Sequence, residues 1–217
     1  MTADADKKKA EAKEARRAAA RQSQKEATRQ RVLAAARELF DTRGYQGATI
    51  RDIARHAGVA VGSVFTTFAS KGEILSEVMQ SRLDRLYGEL YRVMPHLRGS
   101  TADRLRTMFA IHFNFEAQHV RLFLSHIAAA YDWTLPASAK PYGRTPGLQE
   151  IIRGVLAKGV EDGDVRKDVD LQEVVDLLMA AYAWTYRLVV TKGLDAKGCT
   201  DVMDRQIGLV CEGFAPR

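Results

Sequence analysis

The chain of 217 residues has only two cysteines, and they cannot bridge each other. Cys199 and Cys211 fall in one predicted helix, about 18 Å apart at 1.5 Å per residue. A disulfide-stapled fold is excluded, and both read as reduced packing residues. No run approaches the roughly 18 apolar residues of a membrane-spanning helix, and the N-terminal lysines have no apolar segment behind them. A cytoplasmic chain without a membrane partner is therefore expected. Clean apolar/polar alternation is missing, which excludes a sheet protein. Signatures of catalysis are missing as well: there is no P-loop, dinucleotide glycine pattern, zinc-type Cys/His spacing or nucleophile elbow. The acidic stretch 162–170 lacks the glycine register of a calcium loop and reads as a capped turn. His112, His119 and His126 recur every seven residues, about 10 Å apart along a helix, which suits core positions better than shared metal ligation. No catalytic residue, metal or cofactor is expected.

What is present is positive charge in one place. Residues 1–75 hold 15 Lys and Arg against 9 Asp and Glu, whereas residues 76–217 hold 18 of each, so the whole excess of +6 lies in the first third. A basic segment on a neutral remainder suggests a polyanionic partner, with nucleic acid first and an anionic membrane surface second. Within it, residues 1–27 are rich in Ala, Lys, Arg and Glu and almost lack large apolar side chains. As an isolated helix this arm would be marginal. It reads either as a solvated tail or as a basic arm following DNA phosphates.

Nearly everything after the arm has helical period. Val32, Leu33, Ala36, Leu39 and Phe40 form one apolar stripe, which Gly44 ends in the manner of a C-cap. Thr49 with Asp52, and Ser70 with Glu73, are capping-box spacings, so helices should begin near Ile50 and Lys71. Further helical patterns cover 73–93, 102–118, 121–131, 146–161, 171–191 and 196–212, with turn chemistry at each break. The expected fold is all-α, with about nine helices: a basic arm (1–27), a three-helix helix-turn-helix domain (28–75) and a helical bundle (76–217).

In a helix-turn-helix the first helix braces and the second enters the major groove. Ile53 and Ala54 supply the packing face of the first, Gly58 the turn, and Val59, Val64 and Phe68 the packing of the second. Residues 60–67 are left to face a base pair. Lys71 opposes the dipole of the helix it opens, a placement that a phosphate at that N-terminus would explain.

Residues 28–79 resemble the DNA-binding region of the TetR family of bacterial transcriptional regulators. The resemblance rests on L-A-A-A-x-x-L-F ending at Phe40, Gly44-Tyr45, T-I-R-D-I-A at 49–54, A-G-V at 57–59, G-S-V-F at 62–65 and F-A-S-K-G-E-I-L at 68–75. It implies a DNA-facing set of Thr49, Arg51, Val61, Gly62, Ser63, Phe65, Thr66, Thr67 and Lys71. Phe65 and Thr67 depart from the family, which usually has Tyr and often His or Tyr there, so phosphate hydrogen bonds are weakened. Val61 offers only an apolar contact, suited to a thymine methyl.

The resemblance also implies an effector pocket in 76–217 and a two-fold dimer through the last two helices. Pocket candidates are Met108, Phe109, His112, Phe113, Phe123, Ile127, Met179 and Tyr182, with His112, Glu116, His126, Asp176 and Arg187 as possible polar anchors. The remaining aromatics, among them Phe115, Tyr131, Trp133, Trp184 and Tyr186, read as core. The dimer face would use Val174, Leu177, Leu178, Ala181 and Leu188, then Val202, Met203, Gln206, Ile207, Val210 and Phe214. The function so implied is a homodimeric repressor released from a palindromic double-stranded operator by a small apolar or aromatic ligand. An all-α small-molecule enzyme and a sequence-independent DNA or membrane-surface adaptor are the alternatives.

Overall fold

The computed structural model describes the backbone of residues 2–130 and 146–214 and the side chains of 14–128 and 147–213. Helices account for every regular element among the described residues. They are α1 (Thr2–Gly47), α2 (Ile50–His56), α3 (Val61–Phe65), α4 (Lys71–Val93), α5 (Thr101–Ala117), α6 (Val120–Ala130), α7 (Pro146–Asp162), α8 (Leu171–Lys192) and α9 (Ala196–Phe214), with one 3-10 turn at Met94–His96. The all-α expectation holds. So do the predicted starts at Ile50 and Lys71, and the break after Gln118 falls where α5 gives way to α6. The chain divides into two compact units, Met1–Val78 and Met79–Arg217.

In the first unit, α1 extends far beyond its apolar stripe, back to Thr2. As an isolated helix residues 2–27 would be marginal, but they continue one that has a core. Residues 28–43 are anchored by Val32, Ala36 and Phe40, all fully buried. The costly first turn is thereby paid, and only residue-by-residue propagation through good helix formers remains. Gly44, at φ 74° and ψ 164°, breaks the helical geometry where the sequence placed the stop. Ile53, Ala54, Val64 and Phe68 close the core of the helix-turn-helix, and Gly58 turns between its helices at φ 65°. Arg29 reaches from α1 to pair with Glu77, its guanidinium 4.9 Å from the centre of the Phe68 ring.

In the second unit, α5 is the central helix, packed on α9, α7 and α6, while α8 packs on α9 and α7. A capping box of Ser100 and Asp103 opens α5, and the Asp170 carboxylate accepts from the backbone N–H groups of Gln172 and Glu173 to open α8. Thr101 donates to Asp164 through both its backbone N–H (2.6 Å) and its hydroxyl (2.7 Å), fixing the start of α5 to the turn after α7. Gly159 is required at this crossing, since a Cβ there would lie 2.1 Å from Thr101 Oγ1 and 2.6 Å from a Val165 methyl.

One observation qualifies the sequence reading, and two expectations need correction. α8 is long and apolar enough, by length and composition, to cross a membrane, although its apolar residues form no unbroken run. In this unit its inward side is core, with Val175, Leu178, Tyr182 and Tyr186 at most 3% exposed. The proposed dimer face is also part internal: Val174, Leu178, Met203 and Ile207 are buried within the chain. Among the described residues, the large apolar side chains of α8 and α9 that face outward are Leu177, Trp184, Val190 and Leu209, at 58%, 56%, 59% and 71% exposure. Trp184, expected in the core, is thus on the surface. The Phe214 side chain, Tyr131 and Trp133 lie outside the described residues.

Candidate DNA interface and regulatory core

The surface that the sequence reading turns toward DNA is built on the shortest helix of the first unit. Five residues cannot hold themselves helical, so α3 depends on Val64, fully buried, and on Phe68 just beyond it. Anchoring those two turns the other side outward. Val61, Gly62, Phe65 and Thr66 are exposed and Ser63 and Thr67 half-buried. Phe65 is 58% exposed, with Val61 one turn before it 38% exposed on the same side.

The hydroxyls of this surface are partly committed. Thr66 and Thr67 both donate to the Ser63 carbonyl, at 3.0 and 2.8 Å. Their protons are turned into the helix, and lone pairs remain to accept from outside. Thr49 is exposed, yet it works as a cap: its hydroxyl donates to Asp52 Oδ2 at 2.6 Å and accepts from the Asp52 backbone N–H at 3.1 Å. The Thr49 hydroxyl and backbone N–H, both donating to Asp52 Oδ2, followed by attraction to Arg55 and Arg43, hold the Asp52 carboxyl below the usual carboxylate range. Arg51 projects from the same helix with its side chain exposed.

Lys71 has a different occupation from the one its position suggested. Its ammonium donates to the carbonyls of Tyr45 (2.8 Å) and Ala48 (3.1 Å) and lies 4.2 Å from the centre of the Tyr45 ring. Opposition to its own helix dipole is offset by capping the carbonyls that follow the Gly44 break. Burial pushes its pKa below the ordinary lysine value. The Gly44-Tyr45 pair and Lys71 are therefore one structural feature, which sequence spacing alone does not reveal.

The second unit holds two features of interest. One is a cavity of about 310 Å3 lined by Phe113, Ala117, Val120, Tyr186, Val189 and Cys199, closed by the 193–196 turn. Of the eight predicted pocket residues it uses Phe113 alone. Met108, Phe109, His112, Phe123 and Tyr182 are nearly or fully buried, packed as core, while Ile127 and Met179 are half-buried. Tyr186 and Cys199 were missed as lining residues. For Tyr186 the signal was available, one turn beyond Tyr182.

The other is polar. Tyr182 donates to Glu116 Oε1 at 2.7 Å, and His112 Nδ1 stands 3.1 Å from Glu116 Oε2. The His112 ring meets the Tyr182 ring edge-on at 5.3 Å. All three residues are at most 1% exposed, and His126 is 3% exposed. Burial raises the Glu116 carboxyl above its usual pKa, with His112 and Tyr182 pulling the other way. Burial, and then the charge of His112, lower His126 to about 4, so that it is neutral at ordinary pH. His112 and Glu116, two of the five suggested polar anchors, thus meet, and a third, His126, is buried where the charge of His112 acts on it. The other two do not: Asp176 is exposed and accepts from Gln172, and Arg187 faces outward.

Residues 32–78 match the family model described as "Bacterial regulatory proteins, tetR family". The HTH-type transcriptional repressor KstR2 of Mycobacterium tuberculosis is 30% identical over 144 residues, covering 66% of this chain and 72% of that protein. The crystal structure of Thermus thermophilus FadR, a TetR-family transcriptional repressor in complex with lauroyl-CoA, superposes with a TM-score of 0.72 at 26% identity, covering 87% of this chain and 96% of that one. FadR from Bacillus subtilis, in complex with stearoyl-CoA, shares the fold with a TM-score of 0.69 at 19% identity, over 85% and 98% of the two chains. Together with a solvent-facing helix-turn-helix, these matches establish that the chain belongs to the TetR family and is a DNA-binding transcriptional regulator.

Proposed function

We propose that the chain is a homodimeric repressor, acting in the bacterial cytoplasm, that leaves a palindromic operator when a coenzyme A thioester of an apolar acid binds residues 79–217. The observation that carries the DNA half is the outward surface of α3. There Val61 and Phe65 offer apolar contacts to thymine methyls, and Thr66, Thr67 and Ser63 offer acceptors to base-edge donors. Arg51 and the basic side chains of α1 supply phosphate contacts.

The dimer is supported by the outward ridge of Leu177 and Trp184 on α8 with Leu209 on α9. Leu177 and Leu209 line one groove of about 530 Å3 together with Val174 and Val210. A two-fold axis through such a ridge lets one apolar strip cover its own copy, and it matches an operator with two half-sites. The ligand class is supported by Thermus thermophilus FadR, solved with lauroyl-CoA, and by a cavity whose lining is mostly apolar. Helix α4 contributes residues to both units, so a ligand that shifts it would alter the spacing of the two α3 segments.

Selection of bound DNA from a random pool by the full-length protein tests this directly. A palindromic consensus, released on adding lauroyl-CoA, is expected, and the two ligands should weaken each other by the same factor. Sequence-independent retention of the pool would reject it in favour of an adaptor, and turnover of the thioester would favour an enzyme.

A further inference from the structure

The buried polar cluster is poorly matched to a plain hydrocarbon ligand. Tyr182 satisfies one oxygen of Glu116, but His112 stands beside the other without the alignment of a hydrogen bond. Among the described residues, neither ring nitrogen of His112 nor Nε2 of His126 has a hydrogen-bond partner. Buried nitrogens are ordinarily paired, and those left over in a bundle interior mark a place where something else supplies the partner.

The position of the cluster gives that partner a route. Phe113 and Tyr186 form a wall of the apolar cavity, and both lie against Tyr182, with ring centres 5.9 and 5.2 Å away. An apolar body entering between α5, α8 and α9 therefore meets two aromatic rings first. Tyr182, Glu116 and His112 lie directly behind them. A saturated chain pushed further would cover the unpaired nitrogens with methylene groups and leave them unsatisfied. An oxygen at the corresponding point would pair with them instead.

We infer that the effector of this protein carries a carbonyl or hydroxyl oxygen on its apolar body, held by His112 beside the Glu116–Tyr182 bond. The inference rests on the ligand reading above and narrows it to oxygen-bearing acyl thioesters. A site that hydrogen-bonds a ligand oxygen discriminates strongly against the analogue lacking it, because its own polar groups are then left unpaired.

The test titrates the full-length protein, by calorimetry, with lauroyl-CoA and with a series of the same twelve-carbon thioesters carrying one ketone at successive positions. At least one ketone position should bind about tenfold more tightly than lauroyl-CoA. The preference, read as the ratio of the two affinities within each variant, should vanish in His112→Leu and in His112→Phe. If no ketone position exceeds the saturated chain in wild type, the inference is overturned, whether or not the variants fold. An unchanged preference in folded variants overturns it as well. Failure of every thioester, saturated or not, to bind would instead reject the ligand reading itself, and this inference with it.

Discussion

The Lys71 ammonium donates to the Tyr45 carbonyl at 2.8 Å while lying 4.2 Å from the centre of the same residue's ring. One side chain thus closes the end of α1 and orders the start of α4. Lys71→Met keeps the stem and removes the charge, and it should destabilise the protein by about 1–3 kcal/mol, as charged hydrogen bonds and a ring contact are lost together. Urea denaturation measures this. A midpoint equal to wild type would show that the contact holds nothing in place.

His126 makes stability pH-dependent in a definite direction. Its folded pKa lies near 4, against an ordinary value of 6.5, so the unfolded chain binds the proton first as pH falls. Stability should be intact above pH 6.5 and drain away between 6.5 and 4, by up to about 3 kcal/mol for this group alone. Glu116 acts oppositely: its raised pKa costs stability as pH rises above 4.5, because the unfolded carboxyl ionises first. Comparing wild type with His126→Leu between pH 6.5 and 4 separates the two. The loss should be smaller in the variant, and parallel curves would refute the assignment.

Gly159 is set where α7 crosses the start of α5. Gly159→Ala forces a methyl against Thr101 Oγ1 and Val165 and breaks the Thr101–Asp164 pair, for an expected cost of about 1–3 kcal/mol. Gly154→Ala, on the same helix with nothing within 4 Å of the added carbon, is the control and should be neutral or stabilising.

These sites differ in how far the sequence discloses them. The helix-turn-helix is legible because its determinants are local: capping boxes within four residues, a glycine turn and an apolar period. The contacts of Lys71 with Tyr45 and Ala48, and of Thr101 with Asp164, join residues far apart in sequence, and no local pattern announces them. The last two helices show the same boundary differently. Periodicity identifies their apolar residues but not the side that the chain itself covers, so Met203 and Ile207 were grouped with outward residues.

Trp184 provides a check on that ridge. With 56% of its surface exposed, Trp184→Glu should leave the fold of the protomer intact, because no core is disturbed. In a dimer joined there it would bury two unpaired carboxylates, one from each copy. Sedimentation should then show monomers and operator affinity should collapse. A dimer that persists at wild-type affinity would place the two-fold axis elsewhere.

The arm poses the last question, since α1 carries it as helix continuous with the DNA-binding unit. Described side chains at 14–26 are exposed and include Arg16, Arg17, Arg21 and Lys25. A helical continuation of this kind delivers its charges along one direction, whereas a flexible tail would spread them. Each arm charge that reaches a phosphate displaces a counterion and steepens the fall of log K with log salt by about 0.9. Deleting residues 1–27 should therefore flatten that slope by about 2 or more per protomer, with the selected operator sequence unchanged. On the proposed reading the α3 surface contacts bases and the arm contacts phosphates, which carry no sequence information. Equal slopes for the full-length and shortened proteins would remove the arm from the interface.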